Sequence, residues 1–160
     1  MAKKVKVKKT LVEQILTKAG VDHQGIQINA LEGELPSDYD RNHIFKTLAL
    51  LGDKTGPVIG IVPITEHLSE KKLAKISGNK KAAMIPQKDL EKTTGYIHGA
   101  NNPVGIRQKH NYPIFIDETA LELEKMIVSA GEVGHSIIIA PKDLANFVKA
   151  SFVDILEKIN

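Results

Sequence analysis

Cysteine and tryptophan are absent from this 160-residue chain, and aromatic residues make up only 4% of it. Without cysteine there can be no disulfide framework, no thiolate metal ligand and no Cys nucleophile. Arginine is scarce as well, since only Arg41 and Arg107 are arginines among 22 basic residues. Arginine is the side chain suited to two-pronged reading of guanine and phosphate, so its scarcity disfavours a sequence-reading DNA-binding domain. No apolar run approaches the roughly 18 residues of a membrane span, and the opening lysines are not followed by the apolar stretch of a secretory leader. The expectation is a cytoplasmic protein with no membrane partner.

What is present is an ordinary globular mixture, 42% hydrophobic and 26% charged, in a length suited to one compact domain. The formal net charge of +3 conceals an asymmetry. Lys3, Lys4, Lys6, Lys8 and Lys9 crowd residues 1–9, and the remainder carries 17 basic and 19 acidic residues, a net of −2. The reading is a flexible lysine-rich arm over 1–9, with solvation as its simplest role, and a single domain over 10–160.

Thr10 with Glu13 forms a capping-box pattern ahead of Leu11, Val12, Ile15, Leu16 and Ala19, which predicts a helix over 10–19. A strand is expected within 21–30 and a loop over 31–42. Two β-rich runs, 43–51 and 57–65, flank the turn Gly52-Asp53-Lys54-Thr55-Gly56 and read as an antiparallel hairpin. Ser69 caps a helix reaching Ser77, residues 82–85 make a short strand, and Pro86 opens a helix that stops before Gly95. The segment 96–106 reads as a Gly/Asn/Pro loop. Strands follow at 113–116, 125–129 and 136–140, then a helix over 142–150, and the tail 152–159 is also helix-like. The fold class expected is α+β, a mixed, largely antiparallel sheet with flanking helices.

The six histidines, at 23, 43, 67, 98, 110 and 135, form no HxH, HExxH or HxxxH spacing, so no metal is expected. The Gly52–Gly56 turn lacks phosphate-loop spacing, and no GxSxG elbow supports a serine hydrolase. Two features remain. Strand alternation places Lys46 in an apolar row with Ile44, Leu48 and Leu50. An unpaired buried ammonium is costly, so Lys46 either snorkels to water at a sheet edge or meets an anion in a pocket. The second feature is Gly95-Tyr96-Ile97-His98-Gly99-Ala100-Asn101-Asn102-Pro103-Val104-Gly105. It is either a plain turn or a rigid loop whose backbone approaches a ligand.

Phe45-Lys46-Thr47-Leu48, the helix Lys71-Lys72-Leu73-Ala74-Lys75, Thr94-Gly95-Tyr96 with Gly99 and Pro103 in GxxxP spacing, and Val128-Ser129-Ala130-Gly131 occur in that order. Together they resemble the YbaK/EbsC family of aminoacyl-tRNA deacylases, related to the editing domain of bacterial prolyl-tRNA synthetases, over roughly 43–155. The resemblance implies hydrolysis of the ester joining a wrong amino acid, typically cysteine or alanine, to the 3′ end of a proline tRNA. It implies no cofactor, and prolyl-tRNA synthetase as a docking partner. It assigns Lys46, Gly99 and Ser129 to catalysis, with Lys46 holding the tRNA end. Thr47, Ala100, Asn101, Asn102, Pro103, Gly105 and Ser136 are assigned to substrate binding. Alternation points Thr47 away from Lys46 unless the strand bends. His98 and Tyr96 read as structural, Tyr96 as packing beside the loop.

The chain departs from the family's pattern at three positions. Ser136 stands where cysteinyl-tRNA deacylases commonly have Asp, and Ala100 and Asn102 replace a glycine and a serine of the loop. The segment before Lys46 is also shorter than in many relatives. The alternative reading is therefore a non-catalytic or regulatory module that retains the aminoacyl-adenosine pocket.

Overall fold

The computed structural model describes residues 9–28, 35 and 38–158. The lysine arm, except for Lys9, and half of the expected 31–42 loop lie outside those residues. Helix α1 (Leu11–Lys18) begins at the predicted capping box: Glu13 N–H donates to Thr10 Oγ1 at 3.3 Å, and Thr10 N–H donates to Glu13 Oε2 at 2.8 Å. Strands β1 (Gln24–Ile26), β2 (Phe45–Gly52) and β3 (Gly56–Pro63) follow. Then come α2 (Glu70–Ser77), β4 (Ala82–Met84), α3 (Gln87–Thr94) and α4 (Pro103–Lys109). The chain continues through β5 (Ile114–Asp117), β6 (Met126–Glu132), β7 (His135–Ile139), α5 (Pro141–Val148) and β8 (Ser151–Val153).

The strands form two sheets. One is mixed, in the order β4-β2-β3-β5-β8, antiparallel across β4-β2-β3 and parallel across β3-β5-β8. The other is an antiparallel β1-β7-β6 sheet. A parallel bridge between Ile44 and Ile127 joins them. The fold is thus α+β, with the expected β2–β3 and β6–β7 hairpins.

Period-two alternation sorts the β2–β3 hairpin between two cores. Phe45, Ala49, Ile59 and Ile61 enter the larger core with Val12, Leu16, Val104 and Val128. Leu50, Val58 and Val62 enter a second core under α2, with Leu68, Leu73 and Ile155, and Leu48 packs against it. A third cluster, Ile44, Ile127 and Ile138, fills the junction of the sheets. The row expected to run Ile44, Lys46, Leu48, Leu50 is therefore divided between the sheet junction and the second core.

Two expectations are corrected. The loop expected over 96–106 yields at Pro103 to helix α4. Asn102 caps it, accepting Gly105 N–H at 2.6 Å, and Pro103 occupies the first turn, where its missing N–H removes no helical bond. The Asn-Pro start signal is readable in the sequence; Gly105 obscured it by lowering the apparent helix propensity. The tail expected to be helix-like over 152–159 is not helical over its described residues, 152–158. Its first residues form β8 alongside β5, and Leu156 makes an antiparallel bridge to Leu68. Tertiary contacts decide this, because the buried Asp117 carboxylate accepts Ile155 N–H at 3.0 Å and fixes the chain in extended form.

Candidate active site

The cleft originates in incomplete strand pairing. Strand β3 covers one edge of β2 throughout, whereas β4 covers the other only at Leu50, Leu51 and Gly52. Ile64 N–H donates to Ile44 C=O at 2.9 Å, so in this antiparallel ladder the even-numbered residues of β2 bond β3 and the odd-numbered ones point to the opposite edge. There Ile85 N–H donates to Ala49 C=O at 3.1 Å, and among the described residues no strand pairs with Lys46, Thr47 or Leu48. The backbone N–H and C=O of Thr47 consequently face open space. That space is a cleft of about 420 Å³. Met84, Ile85 and Leu90 form one wall, the β6–β7 hairpin forms another, and the turn His98–Asn101 closes an end.

The polar lining is one-sided. Arg41, Lys46, His98 and His135 line the cleft, and no Asp or Glu does so among the described residues. Arg41 is presented by a short 3-10 turn (Arg41–His43) that Asp40 caps by accepting Asn42 N–H at 2.9 Å. Lys46 is half-buried and has no ion pair among the described residues. Thr47 is only 8% exposed, and its Oγ1 is buried without a hydrogen-bond partner among them. Both residues line the cleft because it opens along the strand edge, so alternation does not exclude either from it.

On the loop, α3 ends at Gly95, and the chain turns again at Gly99, whose φ of 89° is a left-handed conformation that glycine adopts without penalty. Gly99 and Asn101 line the cleft; Ala100, Asn102, Pro103 and Gly105 lie buried behind it. Asn102 Nδ2 donates to Ala100 C=O at 3.1 Å, so this side chain holds the loop and caps α4 together. Gly105 lies beneath the Tyr96 ring, where an added Cβ would come within 1.8 Å of the Tyr96 hydroxyl. Tyr96 packs against the larger core, as expected of it, and Lys109 Nζ sits 4.5 Å from its ring centroid.

Ser129 and Ser136 face each other across the β6–β7 ladder and both line the cleft. A bulge follows Ser129, whose Oγ accepts Gly131 N–H at 3.1 Å and lies 3.5 Å from Gly99 C=O. The residues assigned by resemblance thus divide. Lys46, Thr47, Gly99, Asn101, Ser129 and Ser136 share the cleft, while the other four support it from behind. Sequence reasoning gave no site role to Arg41, His98 or His135, which complete the basic rim. The only signal for Arg41 was the rarity of arginine. Among the described residues no three metal-ligating side chains converge, and no helix is long and apolar enough to cross a membrane.

The aminoacyl-tRNA editing domain matches residues 36–147. The chain belongs to the aminoacyl-tRNA editing domain family. A relative from Enterococcus faecalis is 36% identical over 99% of both chains and carries the name of a Cys-tRNA(Pro)/Cys-tRNA(Cys) deacylase, EbsC. The crystal structure of a trans-editing enzyme for prolyl tRNA synthetase superposes with a TM-score of 0.67 at 20% identity, covering 94% of this chain and 82% of that one. A crystal structure of a hypothetical protein superposes with a TM-score of 0.81 at 19% identity, over 91% of this chain and 99% of the other. The two structural likenesses concern the editing-domain fold, while the family match and the E. faecalis relative carry the chemistry.

Proposed function

We propose that this editing domain acts in trans as a hydrolase of mischarged aminoacyl-tRNA in the cytoplasm, with cysteine on a proline tRNA as its leading substrate. The observation that carries the reading is the cleft's charge: Lys46 and Arg41 line it with no carboxylate among the described lining residues. A half-buried lysine at a cleft is placed to hold an anion, and a nucleotide phosphate at the tRNA 3′ end supplies one. A volume of about 420 Å³ is that of a small-molecule site and suits an aminoacyl-adenosine end, not a duplex.

In the reaction, a water oxygen bonds to the ester carbonyl carbon, the carbon–oxygen bond to the terminal ribose breaks, and a proton passes to the departing ribose oxygen. No side-chain nucleophile is required. Lys46, with Arg41 at the rim, fixes the phosphate end; the Gly99 turn presents backbone groups to the aminoacyl carbonyl; Ser129 braces that turn. Most of the rate then comes from positioning and from preorganised dipoles. The net charge of −2 outside the lysine arm supports weak intrinsic affinity for tRNA, and hence docking on a synthetase, with prolyl-tRNA synthetase as the partner.

The test is single-turnover deacylation of tRNAs charged with cysteine, alanine, serine and proline, comparing the native protein with Lys46→Ala. A charge-assisted contact contributes about 1.5–3 kcal/mol, so the variant should lose roughly 10- to 150-fold on the edited species while prolyl-tRNA is spared. A folded native protein that hydrolyses none of them would refute the hydrolase reading in favour of a non-catalytic pocket.

A further inference from the structure

The last residue of α3, Thr94, is completely buried, although its side chain carries a hydroxyl. Its Oγ1 accepts Tyr96 N–H at 3.1 Å and lies 2.7 Å from Asn101 Oδ1. The alternative acceptors for its single proton, the carbonyls of Leu90 and Tyr96, are farther off, at 3.1 and 3.2 Å. A separation near 2.7 Å is characteristic of O–H donating to a carbonyl oxygen and short for an amide N–H. The Asn101 oxygen is therefore turned inward to Thr94. Because the amide is planar, its NH2 group points the other way. Asn101 lines the cleft, and its Nδ2 donates to nothing among the described residues.

The cleft is also polarised along its length. Arg41 and His98 are exposed, Lys46 and His135 half-buried, and the buried polar side chains of the lining are Thr47, Asn101 and Ser136, all uncharged. On the deacylase reading, the charged mouth suits a phosphate end and the uncharged interior the aminoacyl end. The buried part is otherwise apolar wall, including Ala49, Leu90 and Val128. In such a wall, a fixed N–H donor with no acceptor favours a ligand that supplies one and penalises an isostere that does not.

We propose that Thr94 is a positioning residue that locks the Asn101 amide with its NH2 toward the cleft, where it selects aminoacyl groups bearing an oxygen or sulfur on the β-carbon. The inference rests on the deacylase reading and adds to it a chemical class of substrate, seryl and cysteinyl over alanyl, together with the pair of residues that enforces the choice.

The experiment measures single-turnover hydrolysis of seryl-, cysteinyl- and alanyl-tRNAPro by the full chain and by Asn101→Ala, Thr94→Val, Thr94→Ser and the double variant Thr94→Val/Asn101→Ala. The native protein should prefer the two heteroatom-bearing substrates. Both Asn101→Ala and Thr94→Val should lower the seryl-to-alanyl rate ratio by about tenfold, the difference a single hydrogen bond makes. Thr94→Ser should restore the native ratio, and the double variant should be no less selective than Asn101→Ala alone. If Thr94→Val is too unstable to assay, Asn101→Ala and Thr94→Ser carry the test. An unchanged ratio in Asn101→Ala, or equal losses on all three substrates, would overturn the inference and leave the deacylase reading standing. Absence of hydrolysis by the folded native protein would instead remove the deacylase reading and the inference with it.

Discussion

Replacing Thr47 with valine should stabilise the protein and spare its activity. The two side chains have nearly the same shape and both suit a strand, so β2 should keep its pairing with β3. What changes is one hydroxyl, whose oxygen is sealed from solvent and has no partner among the described residues. Leaving such a group unsatisfied costs about 1–3 kcal/mol, and a methyl group in its place carries no such penalty. At the low end of that range, Tm should rise by about 2–4 °C in a chain of this size. Thr47 lines the cleft, but a hydroxyl sealed from solvent is sealed from a docked substrate as well. The substitution should therefore leave kcat/KM within about twofold of the native value. Thermal denaturation and single-turnover deacylation of one preparation measure both effects. A variant destabilised by 1 kcal/mol or more would mean that the hydroxyl is satisfied in the free protein, and the reasoning would fail. A more stable variant with kcat/KM lowered by about tenfold would show that the hydroxyl opens to the substrate on binding.

Three further outcomes follow from the geometry. Gly105→Ala drives a Cβ into the Tyr96 hydroxyl, and overpacking of this kind should destabilise by about 1–3 kcal/mol in denaturant titrations; an unchanged midpoint would show that the ring swings aside freely. Asn102→Ala removes the cap of α4 and the tie to Ala100, so stability should fall by about 0.5–2 kcal/mol, with a matching loss of amide-exchange protection in α4. The Lys72 ammonium, 3.0 Å from Asp154, holds that carboxyl below its ordinary value of 3.8, so its contribution is present above that pH and disappears as acid protonates the folded state. These side chains are 31% and 44% exposed, and screening limits the contribution to under about 1 kcal/mol. Lys72→Met should therefore have a lower urea midpoint than the native protein at pH 7, and the gap should narrow as the pH falls below 3.8. A gap that does not narrow in acid would exclude the ion pair as its source.

Local chemistry was legible in the sequence wherever neighbours along the chain decide the structure. The Thr10–Glu13 capping box, the Ser69 cap and Gly78 stop of α2, and the β2–β3 hairpin all arise from interactions within a few residues of one another. Lys46 was conspicuous for a similar reason, since a cation in an apolar row demands an explanation from pattern alone. The resemblance in KTL and GxxxP motifs gathered residues from both sides of the cleft before any distance was known.

Tertiary structure decided what depends on partners far apart in sequence. The tail after α5 has no strong local preference, and β5 together with the Asp117 carboxylate makes it extended. Thr47 reaches the cleft beside Lys46 because β4 leaves β2 half-paired, and the alternation of one strand cannot reveal where its neighbour stops. Asn101 and Asn102 are adjacent and chemically identical, yet one lines the cleft while the other is buried as a cap. Their separation into a ligand-facing amide and a structural one comes from Thr94 on one side and the backbone of α4 on the other.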